Sequence, residues 1–231
     1  AAWPCVPLQA AMLAASLAAP AERLYVNHVR IPTGRDADAA ARAWLAALAQ
    51  HDIYSSVVRE LDGRAVLVAL DTAPALARVR GPCDPAARAA VADDILAHLA
   101  HVPPVRVVLF DDVLCVSMHH ALYDAVSFAA LHAQAEAAAQ AEAAAQAEGA
   151  ASSPPPPAPH YAQFALYVDA SLDASTAFWT EELADAAFAP FPNATGRVDA
   201  RGDVHETAYT LPGRAALEAA ARSQRATLHA A

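Results

Sequence analysis

The chain has 231 residues, a net charge of −10 and 56% hydrophobic residues, enough for one large domain or one and a half small ones. Its 66 alanines make that apolar share an overstatement of what folding can bury. Its 15 cations are all arginine, with no patch dense enough to suggest a nucleic-acid partner.

The opening segment, AAWPCVPLQAAMLAASLAAP, is apolar but lacks the positive start of a signal peptide. Within it, residues 7–18 read as a short amphipathic helix with Leu8, Met12 and Leu13 on one side. Residues 23–32 are β-rich and stop at Pro32. Residues 36–51 form a second helix, with Asp36 as its N-cap and Trp44, Leu45 and Leu48 on one stripe. Residues 54–70 are two strands around Asp62-Gly63, a strong hairpin signal. A third helix spans 84–101, capped by Asp84 with Pro85 at its first position. Residues 105–120 read as a second hairpin turning at Asp111-Asp112, and 127–149 as a further helix. The end of that helix repeats AEAAAQ at 135–140 and 141–146. Such a segment is helical by propensity, and with the proline run at 151–159 it reads as a low-complexity insertion over 135–159, mobile and dispensable. Two helices follow in 161–186, a strand at 204–212 and a helix at 214–224. Strands alternate with helices but hairpins are present too, so the fold class expected is α/β, a mixed sandwich with the helices on one sheet. No run of 18 apolar residues lies outside Ala-rich helix, so no membrane span is expected. Cys5, Cys83 and Cys115 stand at unrelated spacings, so neither a disulfide framework nor a zinc site follows. The chain lacks an initial Met and stops in mid-pattern at RATLHAA; it reads as a piece of a longer, cytoplasmic protein.

One stretch carries chemistry: CVSMHHALYDAVSF, residues 115–128. Side chains alternate along a strand, so His120 is expected on the face of Leu114, Val116 and Met118, and His119 on that of Val113, Cys115 and Ser117. Diverging histidines do not converge on one ion, which argues against a zinc site with Asp124. Asp124 follows the strand, where a carboxylate can orient an imidazole, pair with an arginine, or simply cap the next helix.

HHALYDA resembles the HHxxxDG motif of the condensation domains of nonribosomal peptide synthetases, particularly fungal ones. WPCVPLQAAML (3–13) is similar to that family's opening motif, and LAQHDIYSSVV (48–58) stands at its RHxxLRTxF pattern. YAQFALYV (161–168) with AFWTEELADA (177–186) resembles its fourth motif. The resemblance implies a chloramphenicol-acetyltransferase-like lobe, an α+β two-layer sandwich, with residues 1–188 as the N-terminal lobe and 189–231 as the start of a truncated second one. It implies amide formation between two thioesters presented on the phosphopantetheine arms of carrier proteins, with no cofactor bound directly and no metal. Carrier-protein domains, an adjacent adenylation domain and the missing C-terminal lobe would be the partners. His120 would be the general base or the group that positions the attacking amine, His119 its neighbour in the catalytic motif, and Asp124 mainly structural. Ala125 and Ser127 would border the substrate.

Two departures stand out. Ala125 replaces the motif glycine, whose lack of a side chain keeps the backbone open. Ser55 replaces the arginine of the second motif, which would pair with Asp124; Arg59 is a nearby substitute. HHALYD further suggests a siderophore-type synthetase. Two other readings stay open: a coenzyme-A-dependent acyltransferase sharing the HxxxD core, and a degenerate scaffold domain without chemistry. The isolated fragment is expected to be inactive.

Overall fold

The structure, a computed structural model, describes residues 1–33, 36–111, 113–148, 158–186 and 214–223. The chain divides into two compact units, Ala1–Ala184 and Asp185–Ala231. In the second, the described structure beyond Ala186 is a helix at Arg214–Ser223. The strand expected at 204–212 and most of the proline run lie outside the described residues.

The first unit holds two sheets, not the one expected. Strands β1 (Ala2–Pro4), β3 (Ser56–Leu61) and β4 (Arg64–Ala69) pair in the order β1-β4-β3. Strands β2 (Val26–Pro32), β5 (Leu76–Arg78), β6 (Val105–Leu109) and β7 (Val113–His119) pair in the order β2-β7-β6-β5, with β5 parallel to β6. The first hairpin stands where its turn residues place it; β6 and β7 also pair as a hairpin, and Asp112 of its expected turn lies outside the described residues. Asp62 and Gly63 have φ of 51° and 75°, the pair of positive φ values that a two-residue type I′ turn demands. What local pattern does not reveal is which hairpin pairs with what. β7 pairs antiparallel along its whole length with β2, so that His119 lies opposite Val26. The first hairpin is instead completed by the three residues of β1, too short a run to carry a strand period.

Helices α1 (Pro7–Ala18), α2 (Ala37–Ala49), α3 (Pro85–Ala97), α4 (Ala125–Glu148), α5 (Tyr161–Ala170) and α6 (Leu172–Glu182) complete the unit. Asp36 and Asp84 cap α2 and α3 as expected, accepting from the amides of Ala39 and Ala87 at 2.8 Å. Leu114, Val116 and Met118 of β7 enter the main core with Trp44 and Leu48 of α2 and Leu131 of α4. Cys115 faces the other way, into a smaller cluster with Cys83, Val108 and Phe110 against Ala87 and Val91 of α3. The α1 stripe is displaced from the expected one. Leu8 is exposed, and the buried residues are Gln9, Leu13 and Ser16.

The alanine repeat also departs from expectation over its first part. Residues 135–148 continue α4, Ala135 belongs to the main core, and Glu142 pairs with Arg42 of α2. Large apolar residues are not required for docking, because alanine lets two helix backbones approach closely. Ala135→Leu is therefore expected to destabilise the fold by about 1–3 kcal/mol, the usual cost of forcing methylenes into a packed interface. Urea unfolding measures it.

Candidate active site

β7 ends one residue earlier than the pattern indicated. His119 is its last residue, and His120 begins a single 3-10 turn, His120–Leu122. The expectation of His120 on a strand face is thus corrected: the chain leaves the sheet between the two histidines. The His120 amide donates to the Tyr25 carbonyl at 2.7 Å, which sets the exit of the turn.

His119 is wholly buried and its hydrogen bonds determine its state. The Ser16 hydroxyl donates to the Leu24 carbonyl at 2.9 Å and lies 2.9 Å from His119 Nε2. With its proton given to Leu24, Ser16 Oγ can only accept, so Nε2 carries the proton. Nδ1 in turn accepts from the Ala121 amide at 3.1 Å. Both ring nitrogens are satisfied only in the neutral form. Burial, and then the neighbouring His120, push the His119 pKa down to about 4. Gln9 holds the same turn from α1. Its side-chain amide donates to the Ala121 carbonyl at 2.7 Å, and its Oε1 accepts from the Val6 amide at 3.0 Å.

The ring of His120 lines a cavity of about 520 Å³ bounded by α1, residues 51–54, the His120–Leu122 turn, α4 and the start of α5. His120 Nδ1 is buried and without a hydrogen-bond partner. The ring rests on Tyr123 with centroids 4.8 Å apart. The Tyr123 hydroxyl is itself held by Asn27 at 2.7 Å. His120 Nε2 makes no hydrogen bond among the described residues.

Asp124 does not reach a histidine. Its Oδ1 accepts from the Ser127 amide and hydroxyl, both at 2.7 Å, and Ser127 Oγ accepts from the Asp124 amide at 2.8 Å. That is reciprocal capping of α4, whose third residue is Ser127. These bonds hold the Asp124 carboxyl below its ordinary value. Among the described residues no arginine pairs with it, Arg59 included. Ser55 instead donates to the Asp52 carbonyl at 3.1 Å. Asp124→Ala is expected to cost about 1 kcal/mol of stability, the worth of a cap, with Asp124→Ser restoring most of it in thermal melts. Asp124 and Ser127 line the cavity; Ala125 is the exposed first residue of α4 and does not.

Three positioning residues escaped the sequence reading. Gln9 and Ser16 were hidden in an alanine-rich helix. Their signal was their spacing about Leu13, which puts all three on one face. Asp52 is the third. Its carboxylate accepts from the Tyr161 amide at 3.0 Å and lies 3.2 Å from His160 Nδ1, which fixes the start of α5 against the cavity from a place more than a hundred residues away in sequence.

No family model matches the chain. It is 27% identical over 214 residues to the ferrichrome siderophore peptide synthetase of Mycosarcoma maydis, covering 84% of this chain and 5% of that protein. It is 29% identical over 145 residues to the nonribosomal peptide synthetase sidC of Aspergillus fumigatus, covering 55% of this chain and 3% of that one. Among solved structures, the first condensation domain of the calcium-dependent antibiotic synthetase, in complex with a substrate analogue, superposes with a TM-score of 0.64 at 18% identity, over 99% of this chain and 58% of that one. The condensation domain of the monacolin K polyketide synthase MokA does so at 0.60 and 16%, over 99% and 56%. The X-domain from teicoplanin biosynthesis, in complex with OxyB, does so at 0.59 and 23%, over 83% and 46%.

The fold is that of the condensation domains, and the chain spans about half the length of those solved examples. In sequence it is similar to two fungal peptide synthetases, one of them a siderophore synthetase by name.

Proposed function

We propose that this chain is the histidine-bearing lobe of a condensation domain that joins two carrier-bound acyl groups through an amide bond. Residues 1–188 would be the N-terminal lobe and 189–231 the start of the second. The observation that carries the reading is His120: a ring on the cavity wall, neither nitrogen hydrogen-bonded among the described residues. In the reaction, the amine of the acceptor attacks the thioester carbonyl of the donor. The C–N bond forms, the C–S bond breaks, and the sulfur leaves with the proton that the amine gives up.

Of the two roles open to His120, positioning is the better supported. A base acting through Nε2 needs Nδ1–H held by an acceptor that fixes the tautomer, and Nδ1 has no hydrogen-bond partner. The Asp124 carboxylate, the expected acceptor, is spent on capping α4. A hydrogen bond from or to Nε2 that orients the amine needs no such partner.

The partners on this reading are the carrier-protein domains that present both thioesters on phosphopantetheine arms, the adenylation domain that loads them, and the second lobe that closes the cavity to water. The name of one relative, the ferrichrome siderophore peptide synthetase, supports siderophore assembly. The test supplies the two-lobed protein with loaded donor and acceptor carriers, and separately with coenzyme A thioesters, and looks for the amide by mass spectrometry. Product from carrier-bound substrates alone is expected. Product from coenzyme A thioesters alone would favour the free acyltransferase, and none from either a scaffold.

A further inference from the structure

The cavity lining presents few uncommitted polar groups. Gln9 is bound to Val6 and Ala121, Asp124 and Ser127 to one another, and Asp52 to the start of α5. His51 and Gln134 pair at 2.8 Å. Besides His120, this leaves the phenols of Tyr54 and Tyr161, neither of which makes a side-chain hydrogen bond among the described residues. The two differ in setting. Tyr161 is half-buried at the start of α5. Tyr54 is only 3% exposed, fixed by a 3-10 turn at Asp52–Ser55 and by edge-on packing against His51 at 5.9 Å. Its hydroxyl makes no hydrogen bond among the described residues, and the residue lines the cavity. Much of the surrounding wall is apolar: Val6, Met12, Ile53, Leu131 and Phe164.

We propose that Tyr54 is a specificity-determining residue, whose hydroxyl donates a hydrogen bond to a carbonyl-type oxygen on the acyl chain of the thioester bound in this cavity. The inference rests on the cavity being the acyl-thioester site. Tyr54 directly precedes Ser55, which aligns with the arginine of RHxxLRTxF, so a phenol stands where the pattern has leucine. Burial and the Asp124 carboxylate push the Tyr54 pKa up to about 12, which keeps it a donor at any working pH. A ligand with an oxygen in reach gives that hydroxyl a partner. A ligand with a methyl there leaves the phenol unpaired, and such a mismatch is what a polar group in an apolar site discriminates against.

Two probes differ in that one atom group: the 4-oxopentanoyl and 4-methylpentanoyl thioesters of pantetheine. Their binding to the full 231-residue chain is measured by calorimetry. The native chain should bind the oxo compound about tenfold more tightly or better, the scale of one unmade buried hydrogen bond. Tyr54→Phe, which keeps the buried ring, should bring the two to within about twofold. Equal binding by the native chain, or a preference that survives Tyr54→Phe, overturns the role of Tyr54 and leaves the acyl site standing. Binding of neither thioester overturns the acyl site and this inference with it.

Discussion

Replacing His120 by alanine in the two-lobed protein is expected to slow amide formation by about 100-fold or more. That is the lower range for losing a positioned proton donor or acceptor at a reacting centre. The ring is the one imidazole on the cavity wall whose nitrogens make no side-chain hydrogen bond among the described residues. Its removal breaks no side-chain hydrogen bond among the described residues and loses the packing on Tyr123. Stability should change far less than rate. His120→Gln separates the two chemical roles, since it offers a donor and an acceptor but cannot take up a proton at working pH. If His120 positions the amine, the glutamine variant should recover to within about tenfold of the native single-turnover rate, the worth of one retained hydrogen bond. A glutamine variant as slow as the alanine one would instead make His120 the base.

His119→Ala should act in the opposite sense, through folding. It removes a wholly buried ring and leaves Ser16 Oγ without its donor and the Ala121 amide without its acceptor. A loss of about 3 kcal/mol or more is expected, from cavity formation together with unmade buried hydrogen bonds. The same site has a pH signature. The folded pKa of about 4 lies below the ordinary histidine value of 6.5, so in the window between them the unfolded chain binds a proton that the folded one refuses. Stability from this group is full above about pH 6.5 and falls as the pH drops toward 4. The loss over the window is about 3 kcal/mol, at 1.36 kcal/mol per pKa unit. Urea unfolding of the native chain at pH 7 and pH 4.5, beside a His119→Gln variant that cannot titrate, checks it. An equal loss in both proteins would show that other groups carry the acid sensitivity.

Much of the local structure was legible in the sequence. Asp36 and Asp84 cap their helices because a short carboxylate before an apolar period satisfies free amides. Asp62-Gly63 turns because few residue pairs tolerate two positive φ angles. The motif HHALYDA supplies His120 to the wall of the cavity, and alternation along β7 separated Cys115 from Leu114 and Val116 correctly. These are interactions between residues a few positions apart, and residue type alone sets them.

The tertiary structure decided what depends on distant partners. Two sheets formed because β7 found β2 and the first hairpin found Ala2–Pro4, pairings across tens of residues that no local period encodes. His120 left the strand because the Tyr25 carbonyl, the Gln9 amide and Ser16 hold the turn from other elements. Ser55 left no arginine at its position to draw Asp124 away from Ser127, its neighbour three residues on. The two adjacent histidines are the same residue type and differ in everything else. One is enclosed and neutral because its surroundings supply a partner for each nitrogen, and the other faces the cavity because its surroundings supply none.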